Sequence, residues 1–265
     1  MNIGIVGCAG RMGRMLLKHV IENDAATLIG GTERMGSDSI DQDLGMLAGV
    51  EPNNLLVSGD TAGLFDAADA VIDFTIPAAT REHAKLAAEN GTALIIGTTG
   101  LDGRDNVAID EAAERTIVVQ AGNMSVGVNL LCGLVEKVAG ALGEEFDIEV
   151  LEMHHRHKVD APSGTALMLG EAAARGRDVN LADVSQRVRD GQTGARRSGD
   201  IGFATLRGGG VVGDHTVIFA SENERIEIAH KALDRSLFAS GAVRAALWCQ
   251  GRDPGRYDMR DVLGL

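Results

Sequence analysis

Ile3-Gly4-Ile5-Val6-Gly7-Cys8-Ala9-Gly10-Arg11-Met12-Gly13, at the amino end of the chain, decides the fold. Residues 3–6 read as a short buried strand, and residues 11–22 as a helix. The turn joining them is G-x-x-G-x-x-G, a variant of the dinucleotide fingerprint. Glycines stand where a backbone must turn sharply and approach a pyrophosphate closely. The helix start that follows offers free N–H groups and the positive end of its dipole to an anion. A glycine triplet alone says little. Here it follows a strand and opens a helix, the context the motif requires. Cys8 reads as a small residue packed in the loop.

Outward from this turn the pattern repeats. Residues 27–31, 70–74, 93–96 and 116–120 read as further strands. Helical stretches at 77–90 and 105–115 separate the later ones, with Pro77 in a first turn, where proline is tolerated. Strands alternating with helices predict βαβ units and a parallel sheet. The second strand ends in Gly31-Thr32-Glu33-Arg34. An acidic residue about 20 positions beyond the loop holds the ribose hydroxyls of NAD, and a neighbouring cation accepts the 2′-phosphate of NADP. Both are present, so the choice of cofactor stays open. Asp73-Phe74-Thr75, Gly97-Thr98-Thr99-Gly100 and Ala121-Gly122-Asn123-Met124 fall at carboxyl ends of strands, where ligands of open parallel sheets bind.

From about residue 126 the reading changes. A helix over 126–142, a strand over 147–153 and a helix over 163–174 precede a polar, glycine-rich stretch, 175–199, that reads as a long loop. Strands at 201–206, 211–219 and 225–230 follow without helices between them, which predicts an antiparallel portion of sheet. A last helix spans 235–249.

Composition narrows the function. Apolar residues make up 45% of 265, which suits a globular chain. The formal charge of −13 and the lack of a basic stripe argue against nucleic-acid binding. No apolar run reaches the ~18 residues of a membrane span, and the amino end does not read as a signal peptide. Three cysteines, far apart, fit a reducing cytoplasm rather than a disulfide framework. Only five of the 25 basic residues are lysines, so a lysine inside a polar cluster stands out.

That cluster is His154-His155-Arg156-His157-Lys158. A metal needs three or four converging ligands, and Glu152 and Asp160 complete no recognised spacing, so no metal is expected. Asp160-Ala161-Pro162-Ser163-Gly164-Thr165 then leads into a helix whose first N–H groups form an anion site. Histidines, a lysine and a helix start within twelve residues can bind a carboxylate and supply protons beside a hydride donor.

Together, GCAGRMG at 7–13, DFT at 73–75, GTTG at 97–100, EMHHRHKVDAPSGTAL at 152–167, GDIGFA at 199–204, GDHT at 213–216 and SGAVRAA at 240–246 resemble the dihydrodipicolinate (4-hydroxy-tetrahydrodipicolinate) reductases of lysine biosynthesis. The match runs nearly the whole chain, and the HHRHK…PSGT block is the specific part. The resemblance implies an α/β protein. A Rossmann-type dinucleotide-binding domain covers 1–125 and is completed by 235–265. A substrate-binding and oligomerisation domain with an open mixed sheet covers 126–234 and commonly builds a homotetramer. It implies reduction of a cyclic unsaturated dicarboxylate with NADH or NADPH. His154 would be the general acid/base and Lys158 the proton donor, while His155, Gly164 and Thr165 hold substrate carboxylates. Gly7, Cys8, Ala9, Gly10, Arg11, Met12, Glu33, Arg34, Gly97, Thr98, Thr99, Ala121, Gly122, Asn123 and Met124 would line the cofactor. Met124 departs from relatives that carry an aromatic residue there. An aspartate- or homoserine-type dehydrogenase would share the first half, and so would a nucleotide sensor without turnover. Neither explains HHRHKVDAPSGT.

Overall fold

The computed structural model describes all 265 residues and divides into two compact units, Met1–Val126 with Ser236–Gly264, and Gly127–Arg235 with Leu265. The first unit begins β1 (Asn2–Val6), α1 (Arg11–Ile21), β2 (Thr27–Thr32), α2 (Leu44–Ala48), β3 (Val57–Ser58), α3 (Thr61–Ala67) and β4 (Ala70–Asp73). It continues α4 (Pro77–Asn90), β5 (Ala93–Ile96), α5 (Gly103–Ala113) and β6 (Ile117–Gln120). The second unit holds α6 (Val126–Ala141), β7 (Asp147–His154), α7 (Gly164–Gly176), α8 (Leu181–Val184), β8 (Ser185–Gln186), β9 (Ile201–Arg207), β10 (Gly213–Ala220) and β11 (Arg225–Ala232). The chain then returns to the first unit as α9 (Ser236–Trp248), β12 (Gly255–Tyr257) and α10 (Met259–Leu263).

In the first unit seven parallel strands run β12-β6-β5-β4-β1-β2-β3. This is the doubly wound order, reversing direction between β1 and β4, where open α/β sheets bind ligands. The strands are almost wholly apolar because both faces are covered. Ile3, Ile5, Ile72, Ile95 and Val119 point to one face, under Leu16, Leu17 and Val20 of α1 and the alanines of α9. Val6, Val71, Leu94, Ile96 and Val118 point to the other, under Phe65, Ala84, Ala87, Ile109 and Ala112. Strand alternation alone assigns these two sets. β3 and β12, at the edges, have two and three residues, too few to carry an alternation visible in the sequence.

The second unit has one mixed sheet, β11-β10-β7-β9-β8. β10 and β11 form an antiparallel hairpin, as expected of consecutive strands. β9 and β10 do not pair. They flank β7, with β9 parallel to it and β10 antiparallel. Burial explains the placement. β7 alternates half-buried and buried along its whole length, so it is shielded best at the centre. Ile148, Val150, Phe203, Val217 and Phe219 pack on α6 and α7, including Val135, Leu169 and Ala173. Glu149, Leu151, Met153, Leu206, Thr216 and Ile218 lie on the opposite face, which no helix covers.

The expected loop over 175–199 is partly regular. α7 runs on to Gly176, and α8 and β8 follow. The remainder is tied to β7 by arginines. Arg189 grips both carboxylate oxygens of Glu149 at 2.7 and 2.9 Å, and Arg196 reaches Asp147 at 2.7 Å and Glu149 at 3.0 Å. Gly202 leaves the space that the Glu149 carboxylate fills.

Candidate active site

In the first unit the glycine loop works through its backbone. Gly7 has φ +65°, a conformation open to glycine, and a Cβ there would come within 2.8 Å of Thr75 Cγ2. A Cβ on Gly13 would lie 2.6 Å from the Cys8 carbonyl carbon and collide with the Gly7 oxygen. Glycine there lets α1 start hard against the loop. Gly10 caps α1 without any side-chain hydrogen bond, so the first N–H groups of the helix are left for a ligand. Cys8 is fully buried against Gly31, and burial pushes its thiol up to about 12, which leaves it inert.

Glu33 stands beside this loop, its Oε1 accepting the Ala9 N–H at 3.0 Å. Arg34 is exposed. Gly7, Gly10, Glu33, Arg34, Thr75 and His83 all line one cleft of about 380 Å³. A loop that any Cβ would fill, free helix N–H groups and an acid–base pair on one cleft fit a dinucleotide.

The wall of the cleft is set by a buried network. Asp73, at the end of β4, accepts from the Thr75 N–H at 2.9 Å, the Thr75 hydroxyl at 2.6 Å and the Thr98 hydroxyl at 3.1 Å. Its other oxygen meets His83 Nδ1 at 2.8 Å. Burial opposes the Asp73 charge, but His83 and the hydroxyls outweigh it and hold the carboxyl below its ordinary range. The Thr98 hydroxyl is therefore engaged, with Thr80 a further partner at 2.9 Å. The backbone of that turn and the exposed Thr99 remain for a ligand. Gly97 packs against the Phe74 ring. Gln120, Ala121 and Gly122 line a separate cleft with Arg256 and Tyr257. Met124 is 1% exposed and belongs to the main core, its carbonyl against Gly241. It supports its turn from behind, and its side chain offers no surface to a nicotinamide.

In the second unit the cluster forms around a residue the sequence reading considered only as a metal ligand. Glu152 and His154 are two apart on β7, so both point to the helix-covered face. His154 Nδ1 lies 2.6 Å from Glu152 Oε2. Arg207 grips both oxygens of Glu152, at 2.8 and 3.0 Å. The Ser163 N–H donates to Glu152 Oε1 at 3.0 Å. Burial works against the Glu152 charge, but Arg207, then His154 and the Ser163 amide, hold the carboxyl below its ordinary range.

Ser163 caps α7, its hydroxyl accepting the Ala166 N–H at 3.1 Å and meeting His215 Nε2 at 2.9 Å. His215 pairs across the sheet with Glu152 and packs edge-on to His154, ring centroids 5.0 Å apart. Burial first, then the neighbouring His154, pushes His215 down to about 4, so it is neutral near pH 7. Lys158 donates to Asp160 at 2.8 Å. His155 lies 6.2 Å from His157, centroid to centroid, and burial and Arg235 lower its pKa. At Gly164 a Cβ would meet nothing within 4 Å, so the helix start faces open space. His154 and the start of α7 at Gly164 and Thr165 are thus joined through Glu152 and Ser163, and Lys158 is tied in through Asp160, whose carbonyl accepts from Arg207. Arg207 and Arg235 were not singled out in the sequence, since each is one arginine among many. Glu152, two residues before His154 on a predicted strand, was the available signal.

A doubly wound Rossmann sheet with a glycine loop, and a mixed-sheet unit with a carboxylate–histidine cluster, define an oxidoreductase of the Rossmann class. Profiles for "Dihydrodipicolinate reductase, N-terminus" and "Dihydrodipicolinate reductase, C-terminus" match residues 1–124 and 127–263. A 4-hydroxy-tetrahydrodipicolinate reductase from Afipia carboxidovorans is 57% identical over 265 residues, 100% of this chain and 97% of that one. Another from Ruegeria sp. is 57% identical over 264 residues, 100% and 98% of the two chains. The chain belongs to the dihydrodipicolinate reductase family. Its fold is similar to that of a dipicolinate-bound dihydrodipicolinate reductase from Paenisporosarcina sp. TG-14, with TM-score 0.76, 22% identity and 97% of each chain covered. An aspartate dehydrogenase from Thermotoga maritima shares the fold less closely, with TM-score 0.52, 12% identity and 96% and 98% of the two chains covered.

Proposed function

We propose that this chain reduces 4-hydroxy-tetrahydrodipicolinate to tetrahydrodipicolinate with NADH or NADPH, in the diaminopimelate route of lysine biosynthesis. The observation that carries the reading is the joining of His154 to the start of α7 through the single carboxylate of Glu152. A proton-transfer group and a carboxylate-binding helix start are then neighbours, which a plain dinucleotide sensor would not need.

The cofactor supplies the two-electron reductant. The loop from Gly7 to Met12 would hold its pyrophosphate, Glu33 and Arg34 its adenosine ribose, and the turns at Gly97–Thr99 and Ala121–Asn123 its remainder. Residues 1–125 with 235–265 act as the dinucleotide-binding domain and 126–234 as the substrate domain. The N–H groups of Gly164 and Thr165 hold one substrate carboxylate, and His155 the other. Lys158 protonates the ring carbon next to the one reduced, and His154 assists as acid/base. The cations neutralise charge that builds up on the ring as it is reduced. No helix is long and apolar enough to cross a membrane. We place the enzyme in the cytoplasm as a homotetramer joined through the uncovered face of β7, β9 and β10.

The test is cofactor oxidation followed at 340 nm in the presence of the product of dihydrodipicolinate synthase, with each cofactor. Turnover is expected with both; silence with both would revive the sensor. Lys158→Ala is expected to lower kcat ~10²–10⁴-fold, the usual worth of general acid catalysis, with the KM for cofactor unchanged. Near wild-type kcat in that variant would remove Lys158 from the mechanism.

A further inference from the structure

Glu152, at the centre of the cluster, can only accept. Ionised, its carboxylate has no proton to give. Three donors already converge on it: two guanidinium nitrogens of Arg207 and the Ser163 amide. The fourth neighbour, His154 Nδ1 at 2.6 Å, must therefore be a donor too. Arg207 is itself fixed, since it also donates to the Asp160 carbonyl at 2.7 Å and the Leu206 carbonyl at 2.7 Å. With Nδ1 committed, the chemistry of His154 is left to Nε2. That nitrogen lies over Gly213, where an added Cβ would be 3.0 Å away, tighter than an ordinary contact. Gly213 has no positive φ, so backbone conformation does not account for the glycine.

We propose that Glu152 and Arg207 are positioning residues that lock His154 as its Nδ1–H tautomer. Nε2, which lies over the bare Cα of Gly213, is then the single atom through which His154 exchanges protons during reduction. The inference rests on the reading of His154 as acid/base. Because Nδ1 keeps its proton whether the ring is neutral or charged, Glu152 is not itself protonated in the cycle. Arg207 matters for the same reason. It holds the carboxylate ionised and turned so that one oxygen faces the ring.

An isosteric change reverses the geometry. In Glu152→Gln, the amide oxygen keeps the two donors of Oε1, Arg207 Nη2 and the Ser163 N–H. The amide nitrogen takes the place of Oε2 and faces His154, at the loss of one bond from Arg207 Nη1, which keeps the Leu206 carbonyl. Nδ1 must then accept, so Nε2 takes the proton and the working atom is blocked. The experiment is nitrogen NMR of the full chain with labelled histidine, the His154 signals assigned from their loss in His154→Gln. Wild type is expected to show neutral His154 protonated at Nδ1, and Glu152→Gln the opposite tautomer. Glu152→Gln should also lower kcat by at least ~10²-fold, the lower bound for general acid–base catalysis, with the KM for NADH or NADPH unchanged. Gly213→Ala, which leaves Glu152 in place, should lower kcat with the Nδ1–H tautomer retained.

An Nε2–H tautomer in the wild type would overturn the inference. So would a Glu152→Gln variant with unaltered tautomer and near wild-type kcat while His154→Gln is inactive. If His154→Gln itself keeps wild-type kcat, the acid–base reading of His154 fails, whatever the tautomer. Should Glu152→Gln not fold, the wild-type tautomer and Gly213→Ala still decide.

Discussion

Glu33 and Arg34 are adjacent, yet they pull in opposite directions. Glu33 is anchored on the glycine loop through Ala9, leaving its second oxygen for a ribose hydroxyl and opposing a 2′-phosphate. Arg34 lines the same cleft with its guanidinium exposed, suited to that phosphate. Each effect is worth ~1–3 kcal/mol on the scale of charged hydrogen bonds, so the two roughly cancel. The enzyme is expected to use both cofactors within about tenfold, since ~1.4 kcal/mol separates tenfold steps. Arg34→Ala should raise the KM for NADPH and leave that for NADH, shifting the kcat/KM ratio toward NADH. An unchanged ratio would mean that Arg34 serves only the surface. At Gly164 an added Cβ meets no atom beyond its own helix within 4 Å, so Gly164→Val should fold normally. Its branched side chain would instead occupy the space before α7, and a strong rise in substrate KM at unchanged Tm is expected. A normal KM would leave that helix start without a ligand.

Individual elements show why position outweighs propensity. α1 carries no acidic residue in its first turn and no capping side chain, which is a poor start for an isolated helix but a good one for a phosphate site. Its close approach to the loop depends on Gly13. Gly13→Ala would drive a methyl group into the Gly7 and Cys8 carbonyls, an overpacking that costs ~1–3 kcal/mol. A lower Tm together with weaker NADH binding by fluorescence titration is expected. Loss of neither would show that α1 can retreat without disturbing the cleft. β7 makes the complementary point. Its buried positions in the first half are apolar, Ile148 and Val150, and those in the second half are Glu152 and His154. One strand therefore serves as core at one end and carries the candidate site at the other.

Across the molecule, acid should be the weak side of stability. The folded state pushes His215 from its ordinary 6.5 down to about 4. A histidine held neutral in the folded state contributes fully above about pH 6.5, and that contribution is lost as pH falls to about 4. At ~1.4 kcal/mol per pKa unit the loss amounts to ~3 kcal/mol. The lowered carboxyls of Glu152 and Asp73 act in the same direction, losing their contribution as pH falls from the ordinary carboxyl range. Thermal melts from pH 7.5 to 4 should show a falling Tm, and His215→Gln should flatten the part between about 6.5 and 4. A wild-type Tm independent of pH over that range would mean that His215 is protonated without cost.

Much of this was legible from local pattern. The 3–13 stretch carries its own instructions, because a buried strand, a glycine turn and a helix start are dictated by residues adjacent in sequence. The same holds for Glu33 and Arg34 at the end of β2, and for the PSGT start of α7. Other features arise only when distant segments meet. No local signal could place β7 between β9 and β10, since that order depends on which strand is shielded best on both sides. Nor could it pair Arg207 with Glu152, 55 residues apart, or His215 with Ser163, 52 apart. Met124 reads as a candidate ligand contact from its place at a strand end, but helix α9 packs Gly241 against it and buries it. Strand, turn and helix-start signals are local, so the two kinds of sheet, the dinucleotide loop and the His154–Lys158 segment follow from residues adjacent in the chain. Which nitrogen of His154 is free does not, because it depends on a carboxylate held by an arginine from another strand.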